Sequence, residues 1–367
     1  MGSCLDYEKL VELKKRIEFN KTEPRVLLKL VREANRIGER FQKENARFKK
    51  RAKKIFNETS KIEKILFIED DLPDNKFTDC RTVGIDGSFY LIGGTGGKWY
   101  APYSIVRILF ENGIESTPRV DIFAAGIEKI SEQKDYNVKE EAALRMLVGE
   151  TKAIENWGNK KKTSLIFIDG PIADPPYYNN INYIEDRSSA IKKCLRNSRM
   201  IGCVKRSRER FFMKNFENFN EKSYNGFLSD QYLFIYLFSE FRFKNNYYGA
   251  LYSKFLDISD YKTYNLYKKY GIHVYSTFFQ KSIDSKILRL DIPLLEEELK
   301  QVNKICSDAV KATLDWQYPK QYIPLPVELA HQKCKIQEGA AEVLYEEILT
   351  KSRTTSFEDQ INLFQLR

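Results

Sequence analysis

The sequence predicts a mixed α/β domain with an acidic site at one edge of its sheet. Two short apolar segments, TVGI at 82–85 and SLIFI at 164–168, have the uncharged, β-branched composition of buried strands. Each is followed by Asp-Gly, at Asp86 and at Asp169. A helix that feeds a buried strand is typical of mixed α/β folds, and an amphipathic stretch at 137–157 precedes the second segment.

Composition favours a globular protein with a polyanionic partner. The 367 residues are 42% hydrophobic and 13% aromatic, which supplies a core and argues against a disordered chain. Lys and Arg outnumber Asp and Glu by 61 to 51, a formal charge of +10. This balance indicates nucleic acid as the simplest partner, although many basic proteins bind none.

The cysteines and the N-terminus exclude several classes of protein. The six cysteines are scattered without a CxxC pair, which argues against a disulfide framework or a zinc ribbon. The first ten residues lack an apolar signal core, and no apolar run reaches transmembrane length. We therefore expect a cytoplasmic protein that does not enter a membrane.

The first part of the chain predicts a helical arm. Residues 5–57 carry helically spaced apolar side chains, and Pro24 suits the first turn of a helix. Residues 39–54 hold eight Lys/Arg and two Glu, which make either a solvated face or a phosphate-contacting arm. A polar stretch at 58–80 then marks a boundary. The predicted divisions are an arm at 1–75, an α/β domain at 76–350 and a tail at 351–367.

Periodicity and turn residues place the remaining elements. Strands are expected at 82–86, 89–93, 98–109, 119–125, 164–169, 200–204, 272–280 and 286–291. Helices are expected at 137–157, 183–197, 228–240, from Pro293 to about residue 313, and at 325–350. Gly87 and Ser88 are expected to turn the chain after Asp86. The stretch GGTGGK at 93–98 is interpreted as a hairpin tip, because its spacing and Trp99 do not fit a phosphate loop.

Asp86 and Asp169 are the first candidates for chemistry. Asp-Gly after a strand is a common turn, so either residue alone is weak evidence. Two such pairs after apolar strands favour a site, because carboxylates at strand ends in α/β sheets tend to face a functional crevice. If the two aspartates meet, their oxygens suit hard divalent cations.

Glu150 is the next candidate carboxylate. It lies beside Leu147 and Val148 on the predicted helix 137–157, and a buried carboxylate needs a cation. Glu140, Glu141 and Glu155 are on the same helix, and periodicity does not choose between the four.

Several further residues have both a functional and a structural interpretation. His331 lies early in the last helix, whereas His273 is interpreted as structural. Lys205 ends the strand at 200–204 and either meets a phosphate or belongs to a basic patch. Asp230 either joins the carboxylates or caps a helix. With two histidines and no GxSxG, the sequence does not favour Ser/His/Asp catalysis.

A basic stretch at 192–214 contains nine Lys/Arg and one Glu and is the candidate DNA track. Its candidate contact residues are Lys192, Lys193, Arg196, Arg199, Lys205, Arg206, Arg208 and Arg210.

The motifs occur in an order that resembles a known family. They are DGS after a strand, Glu about twenty residues ahead of a strand ending in DGP, a strand ending in VK, SDxxL, RLDIP and PLPxxLAH. Over roughly residues 80–345 the chain resembles the NurA nucleases of archaea and bacteria. Asp291 in RLDIP, where Glu is expected, and Cys334, at a usually small apolar position, depart from that pattern.

The resemblance implies a fold, an activity and partners. It implies an RNase H-like core, related to the Argonaute PIWI domain, with a mixed sheet flanked by helices. It implies a nuclease dependent on Mn²⁺ or Mg²⁺ that degrades DNA from the 5′ end and cuts single strands. It also implies a homodimer that works with a hexameric HerA-type translocase in DNA end resection and repair.

Carried over residue by residue, the resemblance assigns Asp86, Glu150, Asp169 and His331 to a site for two metal ions. Lys205 is assigned to catalysis, and Asp230 is a possible additional member. The hypothesis is two-metal phosphodiester hydrolysis. The alternatives are a catalytically silent subunit that binds DNA or the motor, and another RNase H-like nuclease such as a junction resolvase.

Overall fold

A computed structural model describes residues 24–60, 66–68, 77–93, 98–130, 138–173, 181–214, 229–318 and 321–352. The chain divides into two compact units between residues 55 and 56. The arm predicted before residue 24, the tip of the glycine-rich hairpin, the predicted boundary at 75/76 and most of the predicted tail lie outside the described residues.

The second unit contains both helices and strands. The helices are α1 (Pro24–Ser60), α2 (Val138–Gly158), α3 (Ile181–Leu195), α4 (Phe211–Lys214), α5 (Asp230–Asn245), α6 (Lys262–Lys268), α7 (Val302–Asp315), α8 (Leu325–Cys334) and α9 (Glu338–Ser352), of which α1 begins in the first unit. The strands are β1 (Leu66–Ile68), β2 (Thr82–Phe89), β3 (Ile92–Gly93), β4 (Trp99–Phe110), β5 (Arg119–Ile130), β6 (Leu165–Asp169), β7 (Arg199–Val204), β8 (Leu251–Ser253), β9 (Leu256–Asp257), β10 (Ile272–Gln280) and β11 (Leu288–Leu295). A 3₁₀ helix, Glu296–Gln301, joins β11 to α7.

The described strands form one mixed sheet. Its order is β1-β8-β10-β11-β7-β6-β2-β4-β3, with β5 beside β4 and β9 beside β10. Strand β2 pairs antiparallel with β4 and parallel with β6, and β6 pairs parallel with β7. In the run β5-β4-β2-β6-β7, strand β4 is antiparallel to both β5 and β2, and β6 and β7 are parallel to β2. Strand β2, which comes first of these five in the chain, lies in the middle. This is the RNase H-like arrangement, and it confirms the predicted mixed α/β fold.

Helices cover both faces of β2. A Cβ added at Gly84 would meet the backbone of Pro326 in α8, whereas one added at Gly87 would meet Met146 of α2. Residues three apart in a strand point to opposite faces, so α8 and α2 lie on opposite sides of the sheet. The face under α8 carries a hydrophobic core cluster, which includes Phe167 and Val327.

The chain does not turn at Gly87 and Ser88, contrary to the sequence prediction. Strand β2 continues through both residues, because its pairing with β4 extends to Phe89 opposite Tyr103. The pairing with β6 stops at Ile85 opposite Ile168. Asp86 is therefore the first residue of β2 that is paired with β4 but no longer with β6.

Two predicted helices near the C-terminus are present but with wrong bounds. Pro293 lies within β11, opposite Val274, rather than at the start of a helix. The pairing of β11 with β7 ends at Asp291, so Pro293 follows the last rung on that side, where a residue without an N–H is tolerated. The helix expected at 325–350 is two helices, because Lys335 adopts an extended conformation after α8.

Candidate functional site

The two strand-end aspartates lie side by side. Strands β2 and β6 run parallel with Ile85 opposite Ile168, so the next residues, Asp86 and Asp169, are neighbours on one face. Asp169 ends β6, and Gly170, at φ +112°, turns the chain away in a conformation that favours glycine. The structure therefore brings together the two carboxylates that the sequence singled out.

His331 of α8 bridges the two aspartates. Its Nδ1 lies 2.8 Å from Asp86 Oδ2 and 3.3 Å from Asp169 Oδ2. Its side chain is 48% exposed, whereas those of Asp86 and Asp169 are 6% and 13% exposed. The hydrogen bond to Asp86 raises the pKa of His331. The cluster is thus buried at its base and open to solvent at the imidazole.

Burial and repulsion make the second carboxylate costly to ionise. Burial, followed by the negative charge of Asp86, raises the pKa of Asp169 to about 6. Lys205 opposes this shift, because its Nζ lies 2.6 Å from Asp169 Oδ2. Burial alone would lower the pKa of Lys205, but attraction to Asp169 outweighs it and the pKa is raised. Lys205 is therefore the cation that balances this pair of acids.

Glu150 reaches the same strand from the other face of the sheet. A Cβ added at Gly87 would lie 2.8 Å from Glu150 Oε1, so this buried carboxylate packs against the residue after Asp86. The competing glutamates of α2 lie elsewhere. Glu141 pairs with Arg145 at 2.9 Å, Glu155 pairs with Lys193, and Glu140 is exposed. Packing therefore distinguishes Glu150, which periodicity could not do.

Cys334 belongs to the cluster, although in sequence it stands out only as a departure from the family pattern. Its Sγ lies 3.3 Å from Asp86 Oδ2 and donates a hydrogen bond to it. Burial, and then the charge of Asp86, raises the pKa of this thiol well above its usual range, so it stays protonated. The signal was present in the sequence, because residues three apart on a helix, such as His331 and Cys334, share a face.

A second group missed from sequence holds the loop after β7, which carries Lys205. The Gln231 Nε2 donates to the carbonyls of Lys205, at 3.1 Å, and Ile287, at 2.8 Å. Its Oε1 accepts from the backbone N of Ser207 at 2.8 Å. Arg289, fully buried, donates to Ser207 Oγ at 3.0 Å and pairs with Glu209 at 2.9 Å. These bonds fix the direction from which Lys205 approaches Asp169.

Asp230 has a local structural role in the structure. Ser229 is the N-cap of α5 and accepts a hydrogen bond from the backbone N of Tyr232. The carboxylate of Asp230 instead accepts from the backbone N of Phe212 in α4, at 2.8 Å. These two contacts account for the SD pair as a helix start and a link between two helices.

The basic stretch divides between the two ends of β7. Lys205, Arg206, Arg208 and Arg210 follow β7 at the edge that holds the aspartates. Lys192, Lys193, Arg196 and Arg199 precede or begin β7, about 20 Å away at roughly 3.3 Å per residue. Arg199 also pairs with Glu298. The structure does not bring the two halves together.

The cluster fits a hard divalent cation by its donor chemistry. Asp86, His331 and Cys334 each offer a donor atom, and the three atoms lie within 4.8 Å of one another. Asp169 adds a second carboxylate, 3.3 Å from the imidazole. Carboxylate oxygen and imidazole nitrogen suit Mg²⁺ and Mn²⁺, whereas a protonated thiol does not. A cation would also relieve the repulsion that raises the pKa of Asp169.

In the described part of the chain, every helix is too short or too polar to cross a lipid bilayer.

Comparisons with known proteins identify relatives of the fold. The sequence model of the NurA domain matches residues 57–336. The crystal structure of the NurA nuclease from Sulfolobus solfataricus is similar over 92% of this chain and 99% of that one, at 14% identity and a TM-score of 0.57. A second crystal structure of NurA covers 75% of this chain and 89% of that one, at 12% identity and a TM-score of 0.44. A NurA crystal structure with manganese covers 77% and 90%, at 10% identity and a TM-score of 0.35. Comparison with curated protein sequences finds no significant match.

Proposed function

This chain belongs to the NurA family of nucleases, and on that premise we propose that it hydrolyses phosphodiester bonds of DNA with the help of Mn²⁺ or Mg²⁺. The observation that carries the proposal is the convergence of Asp86, Asp169 and His331, with imidazole-to-carboxylate distances of 2.8 and 3.3 Å, beside the Lys205 ammonium.

The proposed ligands are Asp86, Asp169 and His331, which lie together, and Glu150, which reaches the end of β2 from the other face of the sheet. The four side chains offer enough donors for two ions. Metal ions bound at such a site activate water as a nucleophile and stabilise the leaving oxygen. The buried aspartates supply fixed negative charge at the base of the site. The exposed imidazole of His331 lies at the entrance, where a phosphate can approach from solvent.

Lys205 is proposed to act on the substrate phosphate. Its ammonium is held at 2.6 Å from Asp169, in a pocket where the side chain is only 20% exposed. A positive charge fixed at this place stabilises negative charge that develops on a phosphate. Arg206, Arg208 and Arg210 extend the basic surface from the site and form the proposed DNA track on this side of the sheet.

Family membership supports finer proposals about the role of the protein. These are 5′-to-3′ degradation and single-strand cutting, cytoplasmic action as a homodimer, and a role in end resection and repair with a HerA-type hexameric ATPase. All of these proposals use the same site. They concern which end of the DNA enters that site and which partner delivers the DNA to it.

The proposed function is tested with 5′-labelled single-stranded DNA in Mn²⁺, Mg²⁺ or EDTA. We expect cutting with either metal and none in EDTA. Four-way junctions and RNA–DNA hybrids serve as competing substrates. A preference for junctions would favour a resolvase. Failure to cut under all conditions, with and without a HerA-type ATPase, would favour a silent binding subunit and contradict the proposal.

Loss of the Gln231 side-chain hydrogen bonds should slow cutting through Lys205. Gln231→Leu removes two hydrogen bonds to the loop after β7 and one to the Ile287 carbonyl. We expect about a tenfold lower rate, because a displacement of roughly 1 Å in a catalytic group is costly. In a Lys205→Met background the same change should have little further effect on rate, since the group it positions is gone.

The readout for this prediction is a double-mutant cycle of initial cutting rates, with melting temperatures measured alongside. Gln301→Leu, at an exposed position of the 3₁₀ helix, is the control. Equal losses of rate from Gln231→Leu in both backgrounds would mean that Gln231 acts on stability rather than through Lys205.

A further inference from the structure

The cluster contains a sulfur donor that the proposed reaction does not use. Cys334 Sγ, a carboxylate oxygen of Asp86 and a ring nitrogen of His331 form a set of one sulfur, one oxygen and one nitrogen within 4.8 Å. Cys334 is the last residue of α8 and is buried. Its backbone carbonyl accepts a hydrogen bond from Ser104 Oγ of β4. The sulfur is therefore held in place at the base of the site.

A site with sulfur, oxygen and nitrogen donors prefers different metal ions from a site built only of carboxylates and imidazole. Mg²⁺ and Mn²⁺ prefer oxygen donors, whereas Zn²⁺ and Cd²⁺ bind thiolate strongly. A thiol that coordinates such an ion loses its proton to the solvent, so one S–H bond is exchanged for one sulfur–metal bond without any redox change.

We propose that Asp86, His331 and Cys334 form a site for a thiophilic divalent ion, Zn²⁺ or Cd²⁺, that inhibits the nuclease by competing with Mn²⁺ or Mg²⁺. The binding part stands on the geometry of this chain alone, and the inhibitory part rests on the proposed function.

The observed spacing lies within about 0.5 Å of that around a tetrahedral ion. Donors around one zinc lie about 3.3–3.8 Å apart, from metal bonds of about 2.0–2.3 Å. The separation between Cys334 Sγ and Asp86 Oδ2 is 3.3 Å, and that between His331 Nδ1 and Asp86 Oδ2 is 2.8 Å. Asp169 Oδ2, 3.3 Å from the same imidazole nitrogen, is available as a further donor. Small movements of side chains complete the site.

Inhibition follows from the sharing of ligands. Asp86 and His331 would serve both kinds of ion, so they cannot be occupied by Zn²⁺ and by the activating metal together. An ion held by four protein donors keeps no open position for water, as in structural zinc sites. The thiol at 334 is thus expected to make the site more sensitive to thiophilic ions than carboxylates and imidazole alone.

Cadmium titration with ultraviolet absorption tests binding without reference to activity. The full-length protein, kept reduced by a phosphine, should develop a thiolate–cadmium charge-transfer band that saturates at one ion per chain. Cys334→Ala should lose this band. Cys334→Ser, which keeps the size and polarity of the side chain, should lose it as well. Cys194→Ala is the matched control, because Cys194 is also buried but donates to the Ile154 carbonyl in another part of the fold.

Inhibition is measured as the Zn²⁺ concentration that halves each variant's own Mn²⁺-supported rate. We expect this concentration to rise at least tenfold in Cys334→Ala and Cys334→Ser and to stay unchanged in Cys194→Ala. The proposal would be overturned if the cadmium band or the sensitivity to Zn²⁺ were unchanged in both variants at position 334. It would also be overturned if the band disappeared only in Cys203→Ala.

The two proposals fail in different ways. If the wild type shows no metal-dependent cutting but gains the band through Cys334, the proposed function fails and the thiophilic site stands. If the wild type cuts with Mn²⁺ and no cadmium band forms, the function stands and this inference fails.

Discussion

Replacing Asp86 by asparagine should abolish cutting, with a loss of about a thousandfold or more in rate. Asp86 is central to the cluster, since Oδ2 contacts His331 at 2.8 Å and Cys334 at 3.3 Å, and Oδ1 accepts from the Gly87 N–H at 2.8 Å. Asparagine keeps the shape but removes the charge that a divalent cation requires. DNA binding should be retained, because the basic track is untouched.

The same variant should lose its stabilisation by metal. In the wild type, Mn²⁺ is expected to raise the melting temperature, because it binds the folded state and relieves repulsion between Asp86 and Asp169. The measurements are initial rates on labelled single-stranded DNA, melting with and without Mn²⁺, and DNA binding by fluorescence anisotropy in EDTA. Asp260→Asn is the control, since Asp260 is 77% exposed and pairs only with Lys268 in the described structure. Cutting by Asp86→Asn at the wild-type rate would show that the site is elsewhere.

Asp86 and Asp169 could be predicted as site residues from the sequence, because the pattern that marks each of them involves only its immediate neighbours in the chain. An apolar strand followed by Asp-Gly can be recognised without knowing what pairs with it, and the order of motifs indicated the family. The strand register was not visible, and it is the register that makes Asp86 and Asp169 neighbours. The same limit explains the wrong turn at Gly87, because only pairing with β4 keeps the strand extended.

Residues whose role depends on packing could not be chosen from sequence. Glu150 is one of four glutamates on α2, and only its approach to Gly87 separates it from the others. Gln231 acts by bonding to the backbone of a loop 26 residues away in sequence, a contact that leaves no periodic pattern. The basic stretch at 192–214 is continuous in sequence, but β7 runs through its middle. The length of this strand separates the two halves of the stretch in space.

Gly84→Ala tests how α8 brings His331 to the aspartates. Gly84 lies two residues before Asp86, on the same face of β2, directly under the first turn of α8. A Cβ at this position would lie 2.2 Å from the carbonyl carbon and oxygen of Pro326 and 2.7 Å from the backbone N of Val327. These atoms are backbone, so no change of side-chain rotamer relieves the clash.

Helix α8 must therefore shift away from β2, and it carries His331 and Cys334 with it. We expect a destabilisation of about 1–3 kcal/mol from overpacking, and at least a hundredfold lower cutting rate because misplacement of roughly 1 Å is this costly. Thermal and urea unfolding report the first effect, and rates on labelled DNA report the second. Gly339→Ala is the matched control, because that glycine lies in α9 with no atom within 4 Å of the added Cβ. It should be neutral or stabilising, since alanine is favoured over glycine in helices by about 1 kcal/mol.

The two glycine variants together distinguish the effect of displacing α8 on the site from the effect on the stability of the protein. If Gly84→Ala folds, it should also weaken the cadmium band, because the sulfur and the imidazole move away from Asp86 while every proposed ligand is still present. A variant that is destabilised but cuts and binds cadmium as the wild type does would mean that α8 absorbs the clash without moving His331. Wild-type stability and cutting would contradict the close packing of α8 on β2. Gly84, which contributes no side chain to the site, is thus predicted to be required for the positions of His331 and Cys334.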